Sequence, residues 1–383
     1  IAQILAKAHV GALLDKLAPL QMAVRLSHGA DWMFHSVTDH LLRHPTHSSM
    51  SFDFKNAYNT VSRSQILREV KEHCPALLPA AVMILQHDGL VHYQCDDGTI
   101  YYQKILEGVR QGDPLSTLFF CLALQPVLQR LTDAHPGLLV KAFADDLCAT
   151  GPVEICAQSY DTLRHDAASS CNLNLNMTKC YIYSPGSDLT SLDLPALPAA
   201  VPRVPCDQGL VLLGAPIGSD TFIASHLRAQ LTDLQRHVDR ALLLRSVQDT
   251  FHILEKCIIP KQTHILRMLP PHATWSFAAS FDRCIEDAFD RLCMLPEGTV
   301  YHTEHARHQL HLPRREGGLG LLSADLIRTA AFFSSVATTS AIVAHLQADL
   351  EHPPPLPFDI SSVLAADLDT FAAAAPGFFL PCG

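Results

Sequence analysis

The chain has 383 residues, 48 % of them hydrophobic, and a formal net charge of −10. That is enough to bury a large core in roughly two to three domains or subdomains, and no apolar run is long enough to cross a bilayer. The acidic balance counts against strong autonomous binding to nucleic acid, and the twelve scattered cysteines exclude a disulfide framework or a zinc finger.

Taken in chain order, residues 3–17 carry apolar positions every three to four residues and predict a helix, as do 31–44. Ser49–Phe54 alternates like a strand, followed by helices over 62–73 and 77–87. Leu90–Gln94 and Thr99–Ile105 flank Asp96-Asp97-Gly98, and Asp-Gly between β-prone runs signals a hairpin. A long apolar helix is expected over 115–133, after Gly112-Asp113-Pro114. Leu138–Phe143 and Leu147–Thr150 predict two strands around a tight turn at Ala144-Asp145-Asp146, with a helix over 153–172 behind them. Residues 184–209 predict a loop, Val211–Leu213 a strand, and 221–293 a mostly helical block. The last sixty or so residues are rich in Ala and Pro, with a break at Pro353-Pro354-Pro355. The order implies an α+β fold, an antiparallel sheet backed by helices plus a separate helical part.

Charge is unevenly spread. From Leu322 onward there is one basic residue against six acidic ones, whereas Ser225–Met268 holds seven basic and four acidic residues. A basic surface is therefore expected around 225–268, and an acidic tail after it.

The acidic residues nearest the predicted strand ends carry the chemistry. Asp53 closes one β-run, and Asp145-Asp146 occupy the turn between two others about ninety residues later. If those strands are neighbours, three carboxylates converge, and their mutual repulsion calls for a hard cation such as Mg2+. Two such ions about 4 Å apart activate a hydroxyl nucleophile and stabilise a leaving phosphate. A lone Asp-Asp is an ordinary polar turn; the combination is what points to chemistry.

The combination extends further. Ser51-Phe52-Asp53-Phe54-Lys55-Asn56-Ala57-Tyr58 resembles polymerase motif A of reverse transcriptases, and Gly108-Val109-Arg110-Gln111-Gly112-Asp113-Pro114-Leu115-Ser116 resembles motif B. Phe143-Ala144-Asp145-Asp146 resembles motif C. Leu173-Asn174-Leu175-Asn176, with Lys179 and Cys180, is similar to motif D of non-LTR retrotransposon enzymes, and Leu213-Gly214-Ala215-Pro216-Ile217-Gly218 to motif E. Pro19-Leu20-Gln21 with Gly29-Ala30-Asp31, and Leu312-Pro313 with Glu316-Gly317-Gly318-Leu319-Gly320-Leu321, carry the likeness beyond the palm. Met22-Ala23-Val24-Arg25 departs from it, standing where the family tends to be glycine-rich.

This resemblance implies a right-hand polymerase palm: partial fingers over 1–48, palm with motifs A to E over 49–220, a helical thumb over 221–295, and a post-thumb region with an acidic tail over 296–383. It implies RNA-directed DNA synthesis with Mg2+ (two ions, with Mn2+ as a substitute), an RNA template, a DNA primer, dNTPs and a nuclear location. Asp53, Asp145 and Asp146 match the catalytic and metal-binding triad, with the Phe54 carbonyl contributing. Ala57, Tyr58, Arg110, Gln111 and Gly112 match the nucleotide pocket, Tyr58 as the gate against ribonucleotides. Lys179 matches the lysine that protonates pyrophosphate, and Leu213-Gly214 the primer grip. In the family an arginine that contacts the triphosphate would fall just before Ile1.

Two other classes are weighed against this. An RNA-dependent RNA polymerase would carry Gly where Ala144 stands and lack Tyr58 as gate. A decayed or repurposed copy that binds nucleic acid without catalysis would explain the acidic balance, yet all three carboxylates are intact. His302, His305, His308 and His311 recur at threes, a spacing that drifts around a helix and does not gather a metal.

Overall fold

A computed structural model of the chain describes residues 2–24, 26–86 and 89–348. Arg25, His87 at the expected helix end, and the Ala/Pro-rich tail from 349 lie outside the described residues. The chain divides into two compact units, one ending at Cys206 and the other beginning at Asp207.

The first unit is an α+β layer, a mostly antiparallel sheet backed by helices. Its five-stranded sheet runs β4-β5-β1-β6-β7, where β1 is Ser48–Phe52, β4 Leu139–Phe143, β5 Asp146–Gly151, β6 Tyr181–Tyr183 and β7 Arg203–Val204. The pairs β1–β5, β1–β6 and β4–β5 are antiparallel, and β6–β7 is parallel. Strand β5 is buried at every position after Asp146, so both faces of the sheet are covered. On one face Lys141 lies under the Trp32 ring, 4.9 Å from its centroid, supplied by helix Gly29–Arg43. The other face carries Met50, Phe52, Leu147 and Ala149 into one apolar cluster with Phe119, Phe120 and Leu163. Those last three come from helices Ser116–Ala134 and Val153–Cys171. Helix Ser116–Ala134 is buried on nearly all sides, as its unbroken apolar run Leu118–Leu124 dictates. Each large side chain sequestered there contributes about 1.5–3 kcal/mol.

The expected 3–17 helix forms in three pieces: α-helix Ala2–His9, a 3-10 turn Val10–Leu13 and α-helix Leu14–Leu17. The 77–87 helix runs Leu78–Leu85 after a 3-10 turn at Pro75–Leu77. The expected hairpin is present as β2 (Gly89–Gln94) and β3 (Ile100–Ile105), a separate two-stranded ribbon. Within the expected 184–209 loop, Arg203–Val204 instead pairs with the short strand β6, which sequence pattern also missed. Two residues against three leave no period to read.

In the second unit, β8 (Gly209–Leu212) and β9 (Ala215–Gly218) form a hairpin where one strand was expected. The Ser219 hydroxyl then accepts from Phe222 N at 3.2 Å and caps helix Asp220–Ala241. Helix Val247–Ile253 continues through a π-helical turn, Leu254–Ile258, into Ile259–Met268, and helix Pro271–Leu292 follows. The latter carries buried acids that act as struts: Asp282 accepts from Ser323 Oγ at 2.6 Å and Ala324 N at 2.7 Å, capping helix Ala324–Ala348. Glu286 meets Arg307 at 2.5 Å and His311 at 3.4 Å. No described helix is long and apolar enough to cross a membrane. The eleven cysteines among the described residues are free thiols.

Candidate active site

Strand register brings the acidic residues together. Phe52, the last residue of β1, pairs with Leu147 of β5, so Asp53 emerges opposite Asp146. Phe143 pairs with Asp146, which leaves Ala144 and Asp145 as the turn between β4 and β5. One of the three carboxyls responds to the other two. Asp146 is pushed above the ordinary aspartate range, first by desolvation and then by the charges of Asp145 and Asp53. Asp145 also reaches Cys121 of the neighbouring helix, whose thiol is raised mainly by burial and then by that carboxylate.

Main-chain bonds fix Asp53 from its other side. Its N–H meets Cys180 Sγ at 3.3 Å, and its carbonyl accepts from Asn176 N at 2.8 Å. Phe54 bridges Leu175, and Lys55 N donates to Asn174 O at 2.8 Å. The 174–180 segment therefore forms the wall behind Asp53. Lys179 stands exposed on this wall, in a turn closed by its own N–H to Asn176 O at 3.0 Å, next to the cysteine that touches Asp53.

Tyr58 sits in the short helix Ala57–Thr60, whose N-terminal Asn56 takes a left-handed conformation. Its ring stacks on Phe120 at 4.9 Å with the planes 9° apart, and its hydroxyl reaches Thr117 Oγ1 at 3.3 Å. The phenol is raised, chiefly by burial; Asp145 and Asp146 add to the rise, which places the ring beside the acidic pair. Ala57 is buried beneath it.

The Gly108–Leu115 loop is pinned to the same helix. Gly108 N donates to Val61 O at 3.0 Å and Val109 N to Tyr58 O at 2.7 Å. A Cβ on Gly108 would lie 2.3 Å from the Asn59 carbonyl carbon, and its φ is +69°, so only glycine fits. Arg110, Gln111 and Gly112 follow as an exposed stretch, with the Arg110 guanidinium alongside Gly89.

Leu213 and Gly214 belong to the second unit. They form the two-residue turn of the β8–β9 hairpin, with φ of 51° and 82°. Their carbonyls accept from His264 Nε2 at 2.7 Å and Gln230 Nε2 at 3.1 Å.

Two metal candidates need separating. Among the described residues, the set of acidic and imidazole ligand atoms lying within 4.8 Å of one another is Glu69, Glu72 and His73. Glu69 there is already satisfied by Gln65 at 2.9 Å and His73 at 3.3 Å, a salt-bridged helix face. Asp53, Asp145 and Asp146 are not drawn to that spacing, but ligands that share two ions spread wider than one ion's shell. Their chemistry fits hard divalent cations: oxygen donors only, repelling each other without a counter-charge. The four spaced histidines do not gather: His311 pairs with Glu286 and gives its other nitrogen to Leu321 O at 2.7 Å.

Residue Gln21 was missed as part of this site by sequence pattern. Its side chain bonds both main-chain polar atoms of residue Ala144, and no local periodicity signals a contact across 123 positions.

Comparison with known proteins gives the following. Residues 2–219 match the family described as reverse transcriptase (RNA-dependent DNA polymerase). A curated relative, the retrovirus-related Pol polyprotein from type-1 retrotransposable element R2 of Popillia japonica, is 26 % identical over 310 residues. The match covers 73 % of this chain and 47 % of the relative, so the chain spans about half the relative's length. Among solved structures, the telomerase of Candida albicans in complex with a TWJ fragment of telomeric RNA overlaps at a TM-score of 0.48 and 11 % identity. That overlap covers 91 % of this chain and 56 % of the telomerase. Apo telomerase from Candida tropicalis overlaps at 0.45 and 12 % identity, over 95 % and 58 % of the two chains.

Proposed function

The chain belongs to the reverse transcriptase family, and from that premise we propose that it is the polymerase core of a non-LTR retrotransposon enzyme, extending a DNA primer on an RNA template. Reverse transcriptases generally use divalent metal ions. The reading gives Asp53 and Asp145 the role of main ligands, with the Phe54 carbonyl contributing and Asp146 tuning the site's charge. Two Mg2+ ions, when bound, supply a more acidic primer 3′-hydroxyl and neutralise the leaving pyrophosphate.

The remaining roles fall to this chain's own side chains. Tyr58, pinned by Phe120 and Thr117, presents a rigid edge where a ribose 2′-hydroxyl would clash, which favours dNTPs. The exposed Arg110-Gln111-Gly112 stretch lines the path of nucleotide and template, Arg110 facing phosphate. Lys179 stands on the wall behind Asp53 as proton donor to pyrophosphate. Leu213-Gly214 contact the primer backbone, and the basic excess of 225–268 suits a thumb against template and primer phosphates.

The observation that carries the reading is the register that sets Asp53 opposite the Asp145-Asp146 turn, with Asp146 raised in part by the other two charges. Its test is primer extension on an RNA template by the full-length protein with Mg2+ and dNTPs, beside an Asp145→Ala, Asp146→Ala variant. Extension by the parent alone is expected. A folded parent that binds template–primer but never extends it sinks the reading in favour of a binding-only protein.

A further inference from the structure

The turn that carries the acidic pair is unfavourable twice over. Ala144 holds a left-handed φ of 56°, a backbone conformation strained for any residue with a Cβ. Asp146 also faces the like charges of Asp145 and Asp53 across it. Something must hold the turn closed. Gln21, 1 % exposed, supplies both halves of the grip: its Nε2 donates to Ala144 O at 3.1 Å, and its Oε1 accepts from Ala144 N at 2.8 Å.

The gripping residue is itself fixed. Gln21 bridges Ala142 in parallel fashion, with Met22 N donating to Ala142 O and Ala142 N to Leu20 O, both at 2.8 Å. Lys141 Nζ donates to Pro19 O at 2.8 Å. A Cβ on Gly29 would stand 2.1 Å from Met22 O, so the start of helix Gly29–Arg43 abuts the same segment. The 19–22 stretch is thus a short sixth rung beside β4, and its one side-chain amide turns toward the acidic pair, with Oε1 also accepting from Ala23 N at 3.3 Å.

We propose that Gln21 is a positioning residue: by pairing with the N–H and the C=O of Ala144 it holds the left-handed turn that presents Asp145 and Asp146. This rests on the polymerase reading above. An ordinary buried glutamine satisfies itself wherever partners lie; this one pairs with both main-chain groups, N–H and C=O, of a single left-handed residue, the one preceding the acidic pair.

The experiment compares wild type, Gln21→Ala, Ala144→Gly and the double variant in the full-length protein. Primer extension gives kcat and KM, and Mn2+ binding by electron paramagnetic resonance gives a readout independent of turnover. Gln21→Ala is expected to lower kcat about tenfold to a hundredfold, as misplacement of reacting groups does, with KM for template–primer little changed. Mn2+ binding weakens in parallel. Because glycine adopts positive φ without help, Ala144→Gly in the Gln21→Ala background recovers most of both losses. Core filling alone would show no such rescue. If Gln21→Ala does not fold, Gln21→Glu keeps length and acceptor but lacks the donor. Its kcat relative to wild type then recovers as pH falls and the new carboxyl gains a proton.

An active wild type matched by Gln21→Ala in kcat and Mn2+ affinity overturns the Gln21 proposal alone, as does a double variant no better than the single one. A wild type that neither extends primer nor binds Mn2+ overturns the polymerase reading, and this inference with it.

Discussion

Two β-hairpins in the first unit show opposite ways of building a turn. The β2–β3 ribbon closes on its own residues: Asp97 Oδ1 accepts from Thr99 N at 2.9 Å, Gly98 N donates to Cys95 O at 2.9 Å, and Gly98 takes the left-handed φ of 82°. Its strands are exposed almost throughout. The β4–β5 hairpin lies at one end of a covered sheet and spends its left-handed conformation on an alanine, held by Gln21. A turn supported locally is robust and chemically idle. A turn supported from 123 residues away can present charged groups that its own sequence would not hold.

The contrast can be broken experimentally, and the largest effect belongs to the acidic turn. Asp145→Ala should reduce primer extension on the order of a thousandfold or more while leaving thermal stability near wild type, since the half-buried charge removed faces a like charge on Asp146. Extension at wild-type rate would mean that the coupled carboxyls are not the catalytic set.

Tyr58→Ala comes next. Removing the ring should raise ribonucleotide incorporation relative to deoxynucleotide by roughly tenfold to a hundredfold in single-nucleotide assays. Unchanged discrimination would assign the stacked ring to packing alone.

Asp146→Asn tests the electrostatic strain in the turn. Its folded-state carboxyl is raised, so the fold favours the protonated form, and ionised Asp146 costs stability at neutral pH. That cost fades as pH falls below the ordinary aspartate range, where the group is protonated folded or unfolded. The variant should therefore gain roughly one or two degrees in Tm at pH 7, with no gain under acid conditions. A gain that persists in acid would point to packing instead.

The smallest effect belongs to the ribbon. Gly98→Ala meets open space but a left-handed backbone, so it should cost about 1 kcal/mol locally and leave extension kinetics unchanged. Lost extension would tie the ribbon to the reaction.

What sequence could and could not reveal follows the same divide. The β2–β3 hairpin was legible because Asp-Gly and flanking alternation are local, and its ends fell within a residue of those expected. The Asp53 and Asp145-Asp146 strand ends were legible for the same reason, since β1, β4 and β5 alternate or run apolar. The parallel β6–β7 contact was not, because residues twenty positions apart in a Pro- and Ser-rich stretch show no period. The second strand of the β8–β9 hairpin was hidden by Pro216, which reads as a breaker although it lies within a strand. The N-terminal helix was expected unbroken, but its middle tightens into a 3-10 turn around Gly11. Gln21 was visible as part of a motif-like segment, yet its task depends on a partner that only the folded sheet supplies.

The reach from Gln21 to Ala144 also orders events in time. A ribosome delivers the 19–22 segment well before β4 and β5 exist, so this stretch must wait for a partner 123 residues downstream. Closing so long a loop is entropically costly until strand pairing compensates it. The bonds from Gln21 to the acidic turn can therefore form only once β4 and β5 exist, and a chain stalled or misassembled at an earlier stage has the three carboxylates without the brace on the turn between two of those strands.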